Sequence, residues 1–238
     1  NKLNDQVEER FLLHKLGQLY FSLEQYDQAL EHYQLALAVV HRIKDKKGQL
    51  YLLKCIGQVY MVKDQSARAI KFYDQALKIA NQIADQKSQM MLLCELGQAH
   101  QKQGKGWRAV RVYQQALDLA HKNGQDEKEG YLLAKLGQAH YALGQLDSVL
   151  SYYQKALQVA RQHDHKQEVV YRLIEVGQAH QLLGQTSAML SCYEEALQLA
   201  REYGDQVLEL YVLTEFAKVH HSLNDEQNAL AGFKQAVV

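Results

Sequence analysis

Four histidines recur at one spacing: His100, His140, His180 and His220 stand forty residues apart. One imidazole per forty residues is the pattern a ladder of metal ligands would use, and His163-Asp164-His165 adds a compact triplet. A zinc site needs three or four converging ligands, and nothing at a matching offset supplies the others. The two earlier segments carry Tyr20 and Tyr60 at the same place. A neutral imidazole fills an aromatic slot with one ring nitrogen bonded nearby, so the series reads as packing. Cys55, Cys94 and Cys192 lack paired spacing and read as reduced, mostly buried thiols. No nucleophile elbow, Gly-rich phosphate loop or HExxH stretch is present, so neither catalysis nor a metal or cofactor is expected.

A second series at the same period has different chemistry: Gln18, Gln58, Gln98, Gln138 and Gln178, then Lys218. An amide donates and accepts, so a row of them reads the backbone of an extended peptide while ignoring its side chains. Seven residues earlier stand Phe11, Tyr51, Met91, Tyr131, Tyr171 and Tyr211, and three residues later Phe21, Met61, Gln101, Tyr141, Gln181 and His221. Aromatic rings provide rigid apolar contact at little entropic cost. Glutamine is also a good helix former, numbers 31 of 238 residues, and is copied forward by any duplication. The aromatic neighbours carry the argument for a ligand groove.

Both series belong to a word the chain repeats, Leu96-Gly97-Gln98-Ala99-His100, Leu136-Gly137-Gln138-Ala139-His140 and four variants, six copies without a slipped residue. A fixed period of this length marks a solenoid whose units bury their apolar faces on one another. With Gly17 placed in column 8 of the repeat, columns 4, 7, 8, 11 and 14 form the apolar stripe of one helix, A. Columns 20, 21, 24, 27, 28 and 30 do the same for a second helix, B, and small residues in columns 8, 20 and 27 permit close approach. Column 9 then lies opposite the stripe of helix A, with column 2 on the same face. Column 15 holds Glu24, Asp64, Gly104, Gly144, Gly184 and Asn224, largely types that tolerate the left-handed turn ending a helix. Asp45, Asp85, Asp126, Asp164 and Asp205 sit near the B-to-A junctions, where aspartate caps the next helix. Residues 1 to 6 are polar and expected to fray ahead of helix A1, which runs to about Leu23, with B1 from about Tyr26. Trp107, the only tryptophan, follows Gly104-Lys105-Gly106. It reads first as packing that compensates for Gly106, with an exposed contact residue as the alternative.

Composition narrows the class of work. Proline is absent, and Lys plus Arg equals Asp plus Glu at 27 each, which removes the usual electrostatic reason to bind nucleic acid or an anionic membrane. The charge is uneven: residues 41–122 carry 15 basic and 6 acidic side chains, and residues 188–238 carry 3 and 8. Such polarity orients an extended ligand or favours head-to-tail contact, or is simply a solvated helix surface. No apolar run approaches a membrane span and no signal peptide opens the chain, so a cytoplasmic protein is expected.

Leu133, Leu136, Gly137, His140, Gly144, Val149, Tyr153 and Ala156 occupy the columns where the tetratricopeptide repeat favours Trp, Leu, Gly, Tyr, Gly, Ala, an aromatic and Ala. The chain resembles that family over its whole length, as one repeat domain spanning 1–238 with units at about 10–49, 50–89, 90–129, 130–169, 170–209 and 210–238, the last cut short. Its unit is 40 residues where the family's is 34, and the six extra residues lengthen the helices by about 9 Å. This longer form is similar to the repeats of the Pins and LGN polarity scaffolds and to many bacterial and cyanobacterial arrays. The resemblance implies an all-α, right-handed superhelical solenoid of antiparallel helix pairs, with the outward face of helix A lining a concave groove.

The expected function is a non-catalytic protein–protein interaction scaffold that holds an extended or helical peptide segment of another protein. The residues expected to line its groove are Tyr51, Gln58, Gln98, Tyr131, Gln138, Tyr141, Tyr171, Gln178, Gln181, Tyr211 and Lys218. The alternatives are a structural module that self-assembles through uncapped terminal repeats as a homo-oligomer, and a ligand-responsive regulatory array. Family members that clamp a C-terminal carboxylate use Lys, Arg and Asn in columns 2, 5, 6 and 9. Here Lys15, Lys54 and Lys135 are accompanied by Gln in column 9 and by Glu95, Glu175 and Glu215 in column 6, a departure from that clamp.

Overall fold

The protein is described by a computed structural model at residues 2–124, 126–163 and 166–236. These residues form twelve helices and no strand. Two compact units divide them, Asn1–Lys122 and Asn123–Val238. The first contains α1 (Lys2–Ser22), α2 (Tyr26–Arg42), α3 (Lys46–Val62), α4 (Ser66–Gln82), α5 (Gln86–Lys102) and α6 (Gly106–Lys122). The second contains α7 (Asp126–Tyr141), α8 (Leu146–Gln162), α9 (Lys166–Leu182), α10 (Thr186–Glu202), α11 (Gln206–Ser222) and α12 (Glu226–Gln235). Odd-numbered helices are the A helices of the repeat and even-numbered ones the B helices. Links this short make sequential helices antiparallel neighbours. Each A helix packs on its own B helix, and within a unit it also packs on the B helix before it. Residues 2–6, expected to fray, are instead the first turns of α1.

The turns explain why the register never slips. Column 15 adopts positive φ in all six copies, from Asp64 at 54° to Gly144 at 71°. In the first turn the Glu24 N–H donates to the Phe21 carbonyl and the Gln25 N–H to the Tyr20 carbonyl, at 3.1 and 2.9 Å, which closes the helix with a Schellman pair. The same pair recurs at Asp64–Gln65, Gly104–Lys105, Gly144–Gln145, Gly184–Gln185 and Asn224–Asp225. On the other side of each pair, Asp45, Asp85 and Asp205 accept from the backbone N–H of Gly48, Ser88 and Leu208 and cap α3, α5 and α11. Asp225 does the same for α12, a cap inside the last repeat. The Asp126 side chain and Asp164 lie outside the described residues.

A second left-handed position, column 35, was not evident from residue types. Gly124 and Gly204 hold it in two repeats, but Lys44 and Ala84 hold it at φ 58° and 53°. A side chain with a Cβ costs about 1–2 kcal/mol in that conformation. Replacing Ala84 by glycine removes the strain, while the freer unfolded chain returns part of the gain. Ala84→Gly is therefore expected to stabilise the protein by about 0.5–1 kcal/mol, read as a higher urea midpoint with an unchanged slope.

The core is built on a ring over a glycine. In five repeats the column-24 tyrosine lies against the column-8 glycine of the same pair, Tyr33 on Gly17 through Tyr193 on Gly177. Tyr73, Tyr113 and Tyr193 are fully buried there, between alanines such as Ala69, Ala76, Ala109 and Ala116. In the last repeat column 8 is Ala217, and Gly232 beside it supplies the missing room.

Helix A was expected to bury one stripe, and it buries much more. Leu52, Leu92, Leu132 and Val212 in column 3 are buried, as are Val59, Ala99, Ala139, Ala179 and Val219 in column 10. In α3, α5, α9 and α11 the cause is the second partner: the preceding B helix of the same unit covers a flank that a single-helix periodicity leaves open. What remains on the later A helices is mainly a strip through columns 2, 9 and 13, while α1 also leaves Leu12, Leu16 and Leu19 exposed.

Candidate functional site

The strip carries an exposed apolar side chain near the start of every A helix: Phe11, Tyr51, Met91, Tyr131, Tyr171 and Tyr211, each between 37 and 51 % exposed. Column 13, not singled out from the sequence, adds Val62 and Leu182 at the other end. Its signal was an apolar residue beside the turn, in a column otherwise of Ser, Lys and Ala.

The column-9 amides are half-buried rather than fully outward, and several are already bonded. In the first unit Gln18 Nε2 donates to the Tyr51 hydroxyl at 3.3 Å, and Gln58 Nε2 donates to Glu95 Oε1 at 3.3 Å. The other Glu95 oxygen accepts from the Tyr73 hydroxyl at 3.2 Å, so the strip is tied to the core ring beneath it. Gln98 is half-buried, and Gln101 accepts from the Tyr113 hydroxyl at 2.8 Å. Tyr51 is held by the edge of the His14 ring, 4.9 Å away, and by Lys54 Nζ, 5.0 Å from its centroid. Lys54 also reaches Met91 Sδ at 3.8 Å. Burial, with the neighbouring Cys55 thiol, pushes the Tyr51 hydroxyl pKa up, so it stays a neutral donor and acceptor. A cleft of about 260 Å³ opens beside Tyr51, lined by Arg10, His14, Asp45, Gly48 and Leu52 among others.

In the second unit Lys135 Nζ lies 5.3 Å from the Tyr131 ring centroid and donates to Gln138 Oε1 at 3.1 Å. Tyr141 is more than half exposed at the end of α7. Tyr171 and Tyr211 come together from adjacent A helices, with ring centroids 5.6 Å apart. Gln178 lies half-buried on the same strip, with no side-chain hydrogen bond among the described residues. Gln181 Nε2 donates to Ser222 Oγ at 3.1 Å, and Lys218 pairs with Glu215 at 2.6 Å. Both units therefore offer rings under lysines, and the second adds a tyrosine pair with Glu175 and Glu215 close to Tyr211.

The histidines are part of the frame. His140 and His180 each place Nδ1 2.6 Å from the Oε1 of the glutamine five residues on, Gln145 and Gln185, and His220 does the same with Asp225 at 3.1 Å. His140 also stacks on Tyr152, centroids 5.0 Å apart. These bonds tie helix A to its own turn. Among the described residues no three His, Cys, Asp or Glu side chains cluster as metal ligands, and Asp164 and His165 lie outside those residues. Cys55 is buried and Cys94 and Cys192 are half-buried, and none of the three is in a disulfide. Among the described residues no helix is long and apolar enough to cross a membrane.

The same architecture recurs in solved structures. Aspartyl phosphate phosphatase F of Bacillus subtilis superposes at a TM-score of 0.78 with 14% identity, covering 99% of this chain and 71% of its own. BtubC of P. vanneervenii gives 0.70 with 17% identity, covering 94% and 89%. The Rap conjugation gene regulator of plasmid pLS20, solved in complex with the Phr* peptide, gives 0.62 with 20% identity and covers 98% of this chain, which spans 62% of that regulator. At these identities the likeness establishes the fold. No curated protein matches the chain in sequence. The sequence profiles of the tetratricopeptide repeat match residues 8–82, 48–122, 88–162 and 172–203, and they do not single out the Pins and LGN scaffolds. These matches cover most of a chain whose repeats close on the same ring-over-glycine contact, and it belongs to the tetratricopeptide repeat family.

Proposed function

We propose that the chain is a non-catalytic protein-interaction scaffold whose A-helix strip takes up an extended or helical peptide segment of another protein. The observation that carries this reading is the column-2 series: an apolar side chain, mostly tyrosine, left 37 to 51 % exposed at the same place on every A helix. Aromatic rings placed in this way serve as anchors in interfaces. The half-buried amides hold the rings in position as well as offering donors and acceptors, with Gln178 the one whose side chain has no bond within the described protein. The peptide complex of the pLS20 Rap regulator supports the same use of the fold.

The test is peptide display against the full chain. Peptides selected on the wild type are expected to bind the Tyr171→Ala, Tyr211→Ala double variant at least tenfold more weakly, about 1.4 kcal/mol or more. Its melting temperature should change little, because both rings are surface residues. Selected peptides that keep full affinity for the double variant would overturn the assignment of the strip.

A further inference from the structure

Trp107 was expected to pack over Gly106, and it does not. Gly106 is buried while the indole is 65% exposed, in the first turn of α6. No ring or cation stacks on it among the described residues. Its column holds Asp27, Ala67, Asp147, Ser187 and Gln227 in the other repeats. Acidic residues suit that place because the first turn of a helix carries the positive end of its dipole, and α2 and α8 use Asp27 and Asp147 there. α4, α6 and α10 have no acid in the first turn, and α6 alone places an indole there, with Lys105, Arg108 and Arg111 beside it in the chain; Lys105 and Arg108 stand at the helix start, which disfavours cations. Residues 96–117 contain no acidic side chain. All three cations are exposed, and none is ion-paired among the described residues. Lys102, the fourth cation of this stretch, is already engaged with Asp64 at 2.9 Å. An exposed indole beside three unpaired cations, two of them at a helix start that disfavours them, is a local departure of the kind functional sites carry.

We propose that this surface of the third repeat docks a short acidic segment of another protein, with an apolar side chain covering Trp107 and carboxylates meeting Lys105, Arg108 and Arg111. Tryptophan and arginine are the residue types that most often dominate interface energies. Charge complementarity selects the acidic partner. Single-stranded nucleic acid is disfavoured because it takes successive aromatic rings as stacking platforms, and this patch presents one. The surface lies on a B helix and is independent of the A-helix strip.

Trp107 is the only tryptophan, so fluorescence excited at the red edge, beyond the tyrosine absorption, reports this site alone. The probe is a synthetic peptide in which glutamates alternate with leucines. It is expected to shift Trp107 emission to the blue in a saturable manner, with affinity falling as salt is raised. Arg108→Glu with Arg111→Glu should weaken it by about tenfold or more, because each reversal replaces an attraction by a repulsion. Tyr171→Ala should leave it unchanged. Four results would overturn the proposal: no blue shift with the acidic peptide, an equal shift with a peptide of lysines and leucines, a shift that follows protein concentration alone and so assigns the face to a second copy, or tighter binding of a single-stranded oligonucleotide.

Discussion

Gly137→Ala is expected to destabilise the protein by about 2 kcal/mol, although alanine is the better helix former. Two effects oppose each other. In the middle of an exposed helix the exchange gains about 1 kcal/mol. At this position an added Cβ would lie 2.5 Å from Cε1 and 2.7 Å from Cδ1 of Tyr153, a buried ring that cannot swing into solvent. Overpacking of this kind typically costs 1–3 kcal/mol, and the overlap here runs along one whole edge of the ring, so the upper end applies and exceeds the helical gain. A melting temperature about 5 °C lower is the corresponding shift for a chain of this size. The Tyr153→Leu exchange in the Gly137→Ala background separates the causes. A coupling energy above 1 kcal/mol between the two sites is expected, and strict additivity would mean that the ring is not what the glycine accommodates.

The ring-over-glycine contact also shows how much of the fold was legible. Leucine, glycine and tyrosine at fixed columns are read from spacing, because the A–B contact inside one repeat recurs six times. The six left-handed turns at column 15 were legible for the same reason, even at Glu24, where the residue type argues weakly and the column argues strongly. Column 35 was not, since Lys44 and Ala84 adopt the left-handed conformation under the pull of the following cap rather than by preference. The preceding B helix likewise leaves no period of its own on helix A. The outward amide of Gln58 therefore proved half-buried and bonded to Glu95 on the next A helix. Trp107 resisted the sequence in another way: an indole beside a glycine looks like filler until the structure shows where the space is.

Arg172 is the residue whose loss should cost most, and its chemistry was hidden in a column of aliphatics. Leu52, Leu92, Leu132 and Val212 hold the same position, all buried, and Arg172 is buried among the A-helix contacts of the second unit. Its Nε and Nη2 donate to Glu168 Oε1 at 2.9 and 2.6 Å, and its Nη1 donates to Glu175 Oε2. Burial pushes the Glu175 carboxyl pKa up, and Arg172 is the main opposing influence. Arg172→Leu restores the consensus of the column but strands that carboxylate. Breaking a buried pair by removing one partner costs about 3–5 kcal/mol, and the partial exposure of Glu168 places the expected loss near 3 kcal/mol at pH 7. The pH dependence follows from the direction of the shift. With its folded pKa above the unfolded value of about 4.3, Glu175 adds no penalty where it is protonated in both states. The penalty grows as pH rises from that value through the folded pKa. The variant's deficit should therefore be small near pH 4.5 and largest at neutral pH, measured by urea unfolding at both. Adding Glu175→Gln to Arg172→Leu removes the stranded charge and should recover most of the loss, because a neutral amide tolerates the site that an unpaired carboxylate does not. A deficit of the same size at both pH values, or a double variant no better than the single one, would place the role of Arg172 in packing alone.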